Sequence, residues 1–396
     1  MERRRTMKIF SFFAGCGFLD LGFEQNGFDI VFVNEYNPEF MRAYRYAREY
    51  MHVNIQEPQC GYYQGDVNDF LNDINMQNNM RQDMQEYRNH GEWVGFIGGP
   101  PCPDFSVAGR QRGRDGDNGR LSQSYVDLII RMHPDFFLFE NVKGLWQTKR
   151  HRAFYEELKT SLQNAGYKTT ERLTNALEFG APQDRDRILL FGVSQNILHP
   201  INYQGNDLNN FNWGQYQQYD LWNIKKEIPW PGTETFQEGK VTQPPEGIPV
   251  QLTVQHWFDQ NNVTEHPNAN DYFKPRAGLA KMQTIDEGDV GRKSYKRIHR
   301  WRYSPTAAYG NNEVHLHPYH ARRMSAAETL AIQTLPADFI LPPDMSLSNM
   351  FKTIGNGVPY VLASGIAQTI RDYLNANAIQ NVNGNQIYQL IDLSNV

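Results

Sequence analysis

The chain has 396 residues, enough for a large domain plus a smaller one, with a core that needs no covalent staples. Three widely spaced cysteines, Cys16, Cys60 and Cys102, argue against a disulfide framework and a structural zinc site, and for a reducing, cytoplasmic home. A net charge of −5, no signal-peptide pattern after Met1 and no apolar segment of bilayer length argue against a DNA-coating or membrane protein, but not against a local basic cleft.

The first unit predicts β, α, β. Ile9–Phe13 reads as a strand, Ala14-Gly15-Cys16-Gly17 as a tight turn, and Leu19 to Gly27 as a short helix ending at a glycine. Phe28–Val33 is a second strand, with Glu35 just past its end. Glycines let a ligand approach the backbone, and an acid at the second strand end accepts hydrogen bonds from a ribose diol. Pro38–Tyr50 predicts a helix with Pro38 in its first turn. Asp66 closes a short strand over 62–67, placed either to receive an adenine amino group or to cap the next helix. Met76, Met80 and Met84 recur at helical spacing in the segment Phe70–Tyr87 and read as core.

Trp93–Ile97 reads as a buried strand that stops at Gly98-Gly99-Pro100-Pro101-Cys102-Pro103. Flanking prolines fix the backbone around the thiol, which is either a small buried apolar group or a nucleophile at a strand end. Phe105–Arg120 is rich in glycine and arginine, as a solvated loop or a lid is. A helix over Leu121–Met132 leads to the strand Pro134–Phe139, with Glu140-Asn141-Val142 at its end. A helix over His151–Asn164 and a strand over Tyr167–Leu173 follow. Next comes a turn holding Gln183, Arg185 and Arg187, and the strand Ile188–Val193. The arginines alternate with Asp184 and Asp186, so on a strand both face one way.

From about Ser194 the αβ rhythm stops, and 195–320 predicts a separate, irregular region. Its run Arg292–Tyr303 carries Arg297, Arg300, Arg302 and Trp301 with no acid, as suits a nucleic-acid backbone. Ser325 and Glu328 form a capping-box pattern for a helix ending near Leu335-Pro336, and Gly355-Asn356 leads into a helix over Tyr360–Leu374. The resulting division is 1–195 for the first part of the main α/β domain, 196–335 for the small domain, and 336–396 for the return to the main domain with an Asn-rich tail.

In this order the motifs resemble those of the DNA cytosine-C5 methyltransferase family of bacterial restriction-modification systems. The resemblance covers most of 8–195 and 321–375. It implies a Rossmann-like S-adenosylmethionine-dependent methyltransferase fold with a smaller target-recognition domain. It places the cofactor on Phe13, Ala14, Gly15, Gly17, Glu35, Tyr36, Asp66, Val67, Pro101 and Asn356. Cys102 resembles the nucleophile, and Glu140, Arg185 and Arg187 its catalytic partners. Ser106, Arg110, Arg112, Asn141, Gln183, Arg297, Arg300 and Arg302 are the expected contacts to substrate. Three residues depart from the family pattern. Phe18 stands where a second glycine is usual, Tyr36 where a tryptophan is common, and Pro103 where a glutamine follows the nucleophile.

The implied reaction is methyl transfer to C5 of a cytosine flipped out of a specific duplex, through a Cys102–C6 adduct. S-adenosylhomocysteine is the product and no metal takes part. The implied setting is a cytoplasmic monomer on double-stranded DNA, with a separately encoded endonuclease as companion by analogy. A tRNA methyltransferase of the same fold is the alternative. The lack of a cysteine after Cys102 and the long 195–320 region weigh against it. A cofactor-dependent but catalytically silent DNA-binding protein is a third reading.

Overall fold

Two strands buried along their whole length, Met7–Phe12 (β1) and Trp93–Gly98 (β4), lie side by side and in parallel at the centre of the molecule. Strands covered on both faces read as continuous apolar runs, as these do. The computed structural model describes residues 6–53, 56–101, 117–292, 294–307 and 315–378, without the side chains of residues 117, 118, 150 and 276. Between β1 and β4 come α1 (Phe18–Glu24), β2 (Phe28–Glu35), α2 (Pro38–Tyr50), β3 (Tyr62–Gln64), α3 (Asp69–Asn72) and α4 (Ile74–Asn89). The next elements are α5 (Asp117–Met132), β5 (Phe136–Val142), α6 (Lys143–Gln147), α7 (Lys149–Asn164), β6 (Tyr167–Asn175), β7 (Gln183–Asp184) and β8 (Asp186–Ser194).

The large sheet runs β3-β2-β1-β4-β5-β8-β6 and continues into two short strands, β10 (Asp207–Leu208) and β9 (Tyr203–Gln204). Parallel pairing holds from β3 to β5, whereas β8 is antiparallel to both β5 and β6. Successive side chains of β1 enter opposite faces, so each face has its own core. Ile9 joins Phe23, Leu362 and Ile366 on one side. Phe10 and Phe12 join Tyr125, Leu128 and Leu158 on the other. The chain order reverses between β1 and β4, the crevice where open α/β sheets bind ligands.

The main body extends past the boundary expected after residue 195. Leu198, Leu208 and Trp213 belong to the first core with Tyr373, and Trp213 Nε1 donates to Thr170 Oγ1 at 3.0 Å. The αβ rhythm does end there, but an edge built of two-residue strands has no period to detect. Among its described residues the small region then holds only short elements, among them α8 (Leu221–Lys226), α9 (Val254–Gln260), α10 (Leu279–Gln283), β11 (Lys296–Arg297), β12 (Ser304–Pro305) and β13 (His315–Leu316). Helix α11 (Ala326–Ile332) serves both regions. Ala326 and Leu330 pack with Phe18 and Phe339, while Ala327 and Ala331 pack with Phe258 and Ile298. Its N-terminus carries the expected capping box, with Ser325 and Glu328 satisfying each other's backbone amides.

The last helices are α12 (Leu347–Asn356), not anticipated from the sequence, and α13 (Tyr360–Asn377). No described helix is long and apolar enough to cross a membrane. If residues 196–219 belong to the main core, Trp213→Ala will lower the unfolding free energy by about 3 kcal/mol or more in a urea titration. A loss below about 1 kcal/mol, the range of ordinary surface substitutions, would place this segment outside the core.

Candidate active site

Beyond β1 the backbone enters the left-handed region at Phe13, Gly15 and Gly17, with φ of 54°, 59° and 81°. At Gly17 the requirement is also steric, because a Cβ would lie 2.4 Å from Arg48 Nη1 and from the Tyr44 ring. The space in front of Gly15 is open, with Thr353 Oγ1 the nearest neighbour at 3.8 Å from a notional Cβ. Glu35 ends β2 rather than following it, and its carboxylate accepts from Gly15 N at 2.8 Å and Asn37 N at 2.7 Å. Burial pushes that carboxyl above its ordinary value, and the backbone amides pull it back. Tyr36 beside it is 72% exposed, an open aromatic face at the rim. Asp66 accepts from Asn68 N and Nδ2 through Oδ1 alone, so it makes the Asx turn into α3 and still has Oδ2 free among the described residues.

Ala14 packs against the first core. Asn356 is exposed at the C-terminal end of α12. Val67 departs from expectation, because its side chain is buried in the second core with Phe12 and Phe70. Glu35, Asp66 Oδ2, Tyr36 and the open glycine turn suit a nucleoside with a ribose diol and a flat base. Among the described residues no cluster has the composition of a metal site.

The described residues expected to be catalytic lie along the same edge of the sheet. Glu140 sits within β5, buried, and its Oε1 is 2.7 Å from Arg187 Nε on β8. Burial raises the Glu140 carboxyl above its ordinary value, against the pull of Arg187 and Arg185. A Cβ on Gly99 would fall 2.6 Å from Glu140 Oε2, so the glycine leaves room for that oxygen. Asn141 donates to Pro100 O at 3.4 Å. The chain running toward residue 102 is therefore tied to the strand that carries Glu140. Cys102, Pro103, Ser106, Arg110 and Arg112, and with them most of the expected lid, lie outside the described residues. The other two thiols are held protonated. Burial pushes Cys16 up to about 12 and Cys60 up to about 11.

Several expected substrate contacts are corrected. Asn141 is 1% exposed and turned toward Pro100 and its own strand. Gln183 is fully buried and bonded to Gln333 and Ala307. Arg297 is also fully buried, donating to the carbonyls of Met282, Ile285, His317 and His320. Arg300 grips Glu287 through Nε and Nη2, both at 2.8 Å. An acid-free run of arginines thus proves to be the polar core of a region poor in regular structure. There the backbone carbonyls and one distant glutamate need donors. Arg302 is half-buried against Tyr303. Arg185 shapes the charge around Glu140 but bonds elsewhere. Its Nη2 donates to Gly355 O at 2.7 Å and its Nη1 to Ala307 O at 3.2 Å.

The structure adds residues that the sequence did not single out. Beneath the glycine turn, Arg48 donates to the carbonyls of Cys16 and Gly17 and to Glu24 Oε2 at 3.0 Å, and stacks on Tyr44. Asp20 accepts from Ser11 Oγ at 2.9 Å and Tyr44 OH at 3.0 Å. Thr353 on α12 donates to Cys16 Sγ at 3.1 Å, joining the turn to α12. The one available signal was Arg48 four residues after Tyr44, a cation on the apolar face of α2.

The family model for C-5 cytosine-specific DNA methylase matches residues 7–372. The Type II methyltransferase M.NmeDI of Neisseria meningitidis serogroup C is 54% identical over 94% of this chain and 85% of its own. The Type II methyltransferase M.NgoPII of Neisseria gonorrhoeae is 27% identical, over 93% and 96% respectively. Among solved structures, the Dnmt2 methyltransferase of S. pombe shares the fold, with a TM-score of 0.56, 12% identity, and coverage of 94% of this chain and 99% of that one.

The buried network has a pH signature. Desolvation raises Asp20 from 3.8 to about 6, although Arg48 pulls it down. An acid raised on folding contributes stability that is complete below its unfolded pKa and lost as pH rises through the folded one. Relative to wild type, Asp20→Asn will gain about 2 kcal/mol in unfolding free energy between pH 4.5 and 7.5. Urea titrations across that range check it, and a difference constant with pH would remove Asp20 from this role.

Proposed function

This chain belongs to the C-5 cytosine-specific DNA methylase family and transfers a methyl group to C5 of cytosine in DNA, and on that premise we propose how its own residues carry the reaction. The observation that carries the proposal is the buried Glu140–Arg187 pair, 2.7 Å apart, beside the glycine-proline segment that leads directly into Cys102. Cytosine C5 is too weak a nucleophile by itself. Attack of the Cys102 thiolate on C6 forms an S–C6 bond and moves the ring electrons toward C5 and N3. Glu140, kept protonatable by burial, gives its proton to N3 as that charge develops. Arg187 orients the carboxyl through its Nε contact and stabilises the carboxylate that remains. After C5 has been methylated, loss of the C5 proton to a base expels the thiolate, and the N3 proton returns to Glu140. No described side chain is assigned as that base, and water suffices.

Glu35, Asp66, Tyr36 and the turn at Gly15 and Gly17 are the residues that would hold S-adenosylmethionine, and Asn356 and Pro101 would border it. When bound, that cofactor supplies the methyl group as a sulfonium electrophile. The open face at Gly15 and the uncommitted Asp66 oxygen support this fit.

The target base must leave the duplex to reach Glu140, so the substrate is a flipped cytosine; of the expected lid, residues 117–120 are already the first turn of α5 and the rest lies outside the described residues. Reading of the flanking sequence falls to the surface of residues 220–325 rather than to Arg297 or Arg300, which are used internally. The likeness to Type II methyltransferases supports a place in a restriction-modification pair, with an endonuclease encoded separately. A monomer working on cytoplasmic DNA fits that role.

Bisulfite sequencing of DNA from cells expressing the chain will show protected cytosines in one sequence context. DNA without protected cytosines, from cells holding folded protein, would overturn the reading. Cys102→Ser will abolish detectable turnover. Glu140→Gln will lower kcat by about 10²–10⁴-fold while changing S-adenosylhomocysteine affinity little. Retained turnover in either variant contradicts its assigned role.

A further inference from the structure

The C-terminal end of α12 poses a problem that the rest of the chain must solve. The last carbonyls of a helix have no intrahelical donor, and here they are covered by protein. Two side chains meet them with three hydrogen bonds. Gln333 Nε2 donates to Ile354 O at 2.5 Å and to Gly357 O at 3.3 Å, and Arg185 Nη2 donates to Gly355 O at 2.7 Å. Both side chains are fully buried. An arginine at this end also complements the negative pole of the helix.

The same two side chains are joined from behind. Gln333 Oε1 accepts from Gln183 Nε2 at 3.1 Å, and Gln183 Oε1 accepts from Arg185 Nη1 at 3.4 Å and from Ala307 N at 3.0 Å. The small region returns here as well, since β12 pairs in parallel with β7, Ser304 opposite Gln183. Every polar atom of the Gln333 amide is therefore committed. Its backbone carbonyl is committed too, accepting from Tyr360 N at 2.9 Å at the start of α13. The next residue, Thr334, is β-branched and buried yet held at φ 59°, a conformation such residues rarely adopt. Strain of this kind persists where neighbouring bonds over-determine the backbone. Here Val361 N donates to Thr334 Oγ1 at 3.1 Å.

We infer that Gln333 is a positioning residue that couples cofactor binding to DNA binding, through the chain Thr353–Asn356, Gln333, Gln183 and Ala307. The inference rests on the methyltransfer reading above. On one side lies α12, whose Thr353 reaches the glycine turn at Cys16. On the other lies β7, paired with the returning recognition segment and leading through Arg185 into β8, whose Arg187 meets Glu140. A shift in α12 moves the carbonyls of residues 354–357, and the buried side chains of Gln333 and Arg185 must follow or lose their bonds to them. Order imposed by the cofactor at α12 thus reaches the face that receives the flipped base.

The test is a binding cycle read without turnover. The affinity of wild-type protein for a duplex carrying the sequence it methylates is measured by fluorescence anisotropy, with and without saturating S-adenosylhomocysteine. Linkage makes the ratio a direct measure of coupling, and cases of this kind span about 5- to 150-fold. The wild type is expected to bind DNA at least about fivefold more tightly with the ligand present. Gln333→Met, which keeps length and removes every polar contact, will bring the ratio to within about twofold of one. Gln333→Glu keeps the acceptor facing Gln183, loses the donors to Ile354 and Gly357, and will show the same loss; it stands in should the Met variant fail to fold. Equal weakening of both affinities with the ratio preserved would mean a structural role only and overturn the inference. A wild-type ratio of one would overturn it as well. A wild type that binds neither DNA nor S-adenosylhomocysteine would instead sink the methyltransfer reading itself.

Discussion

One inverted strand makes this active site possible. In a wholly parallel sheet every strand presents its C-terminal end to the ligand-binding edge, so only strand-ending residues reach it. Because β8 runs the other way between β5 and β6, it brings its first residues to that edge. The register sets Arg187 opposite Val142 and Leu189 opposite Glu140, and the arginine reaches across to the carboxyl. An acid from the end of one strand thereby meets a cation from the start of the next. Burying such a pair has a desolvation cost, and removing one partner strands the other at about 3–5 kcal/mol. At this site burial has a chemical use. It outweighs two nearby arginines and leaves Glu140 able to hold a proton.

The glycine turn rests on a second set of buried charges. Arg48 fills the space beneath the turn that Gly17 leaves vacant, and ties the turn's carbonyls to Glu24 on α1. The turn's left-handed backbone is thus held from below by a side chain of α2 and from the far side by Thr353 of α12. Neither half of the site stands by itself. The glycine turn, α12 and the arginine strand form one buried hydrogen-bonded unit that includes Gln333 and Gln183.

Much of this was legible in the sequence where the signal is local. Helix α2 has the predicted ends because Asn37, Pro38 and the apolar spacing agree. The Ser325–Glu328 box likewise needs only neighbouring residues, whereas Arg185 falls between two strands and parts from Arg187 to meet Ala307 and Gly355. The motif order singled out Glu35, Glu140 and Arg187 as expected site residues. What failed was long-range. No pattern announces that Gln333 will meet Gln183 across 150 positions, or that residues 203–208 will extend a sheet. The basic run was misread for a physical reason. Charge composition states how many donors a segment carries, while the location of their acceptors decides whether they face solvent. Arg297 and Arg300 found theirs inside.

The two aspartates that alternate with the arginines add a property of their own. Asp186 is bonded by Lys143 at 2.7 Å and Asp184 by Lys225 at 2.7 Å, and Asn175 Nδ2 bridges both carboxylates. Burial alone would raise Asp186, but Lys143 and Asn175 hold it below its ordinary value. Both lysine pairs are partly exposed, whereas the Glu140–Arg187 side chains are about nine-tenths buried. Dissolved ions screen the former and barely reach the latter. Rising ionic strength therefore loosens the tether between α8 and the arginine strand while the proton-holding pair stays intact. Salt acts on this enzyme as a selective solvent for its outer layer.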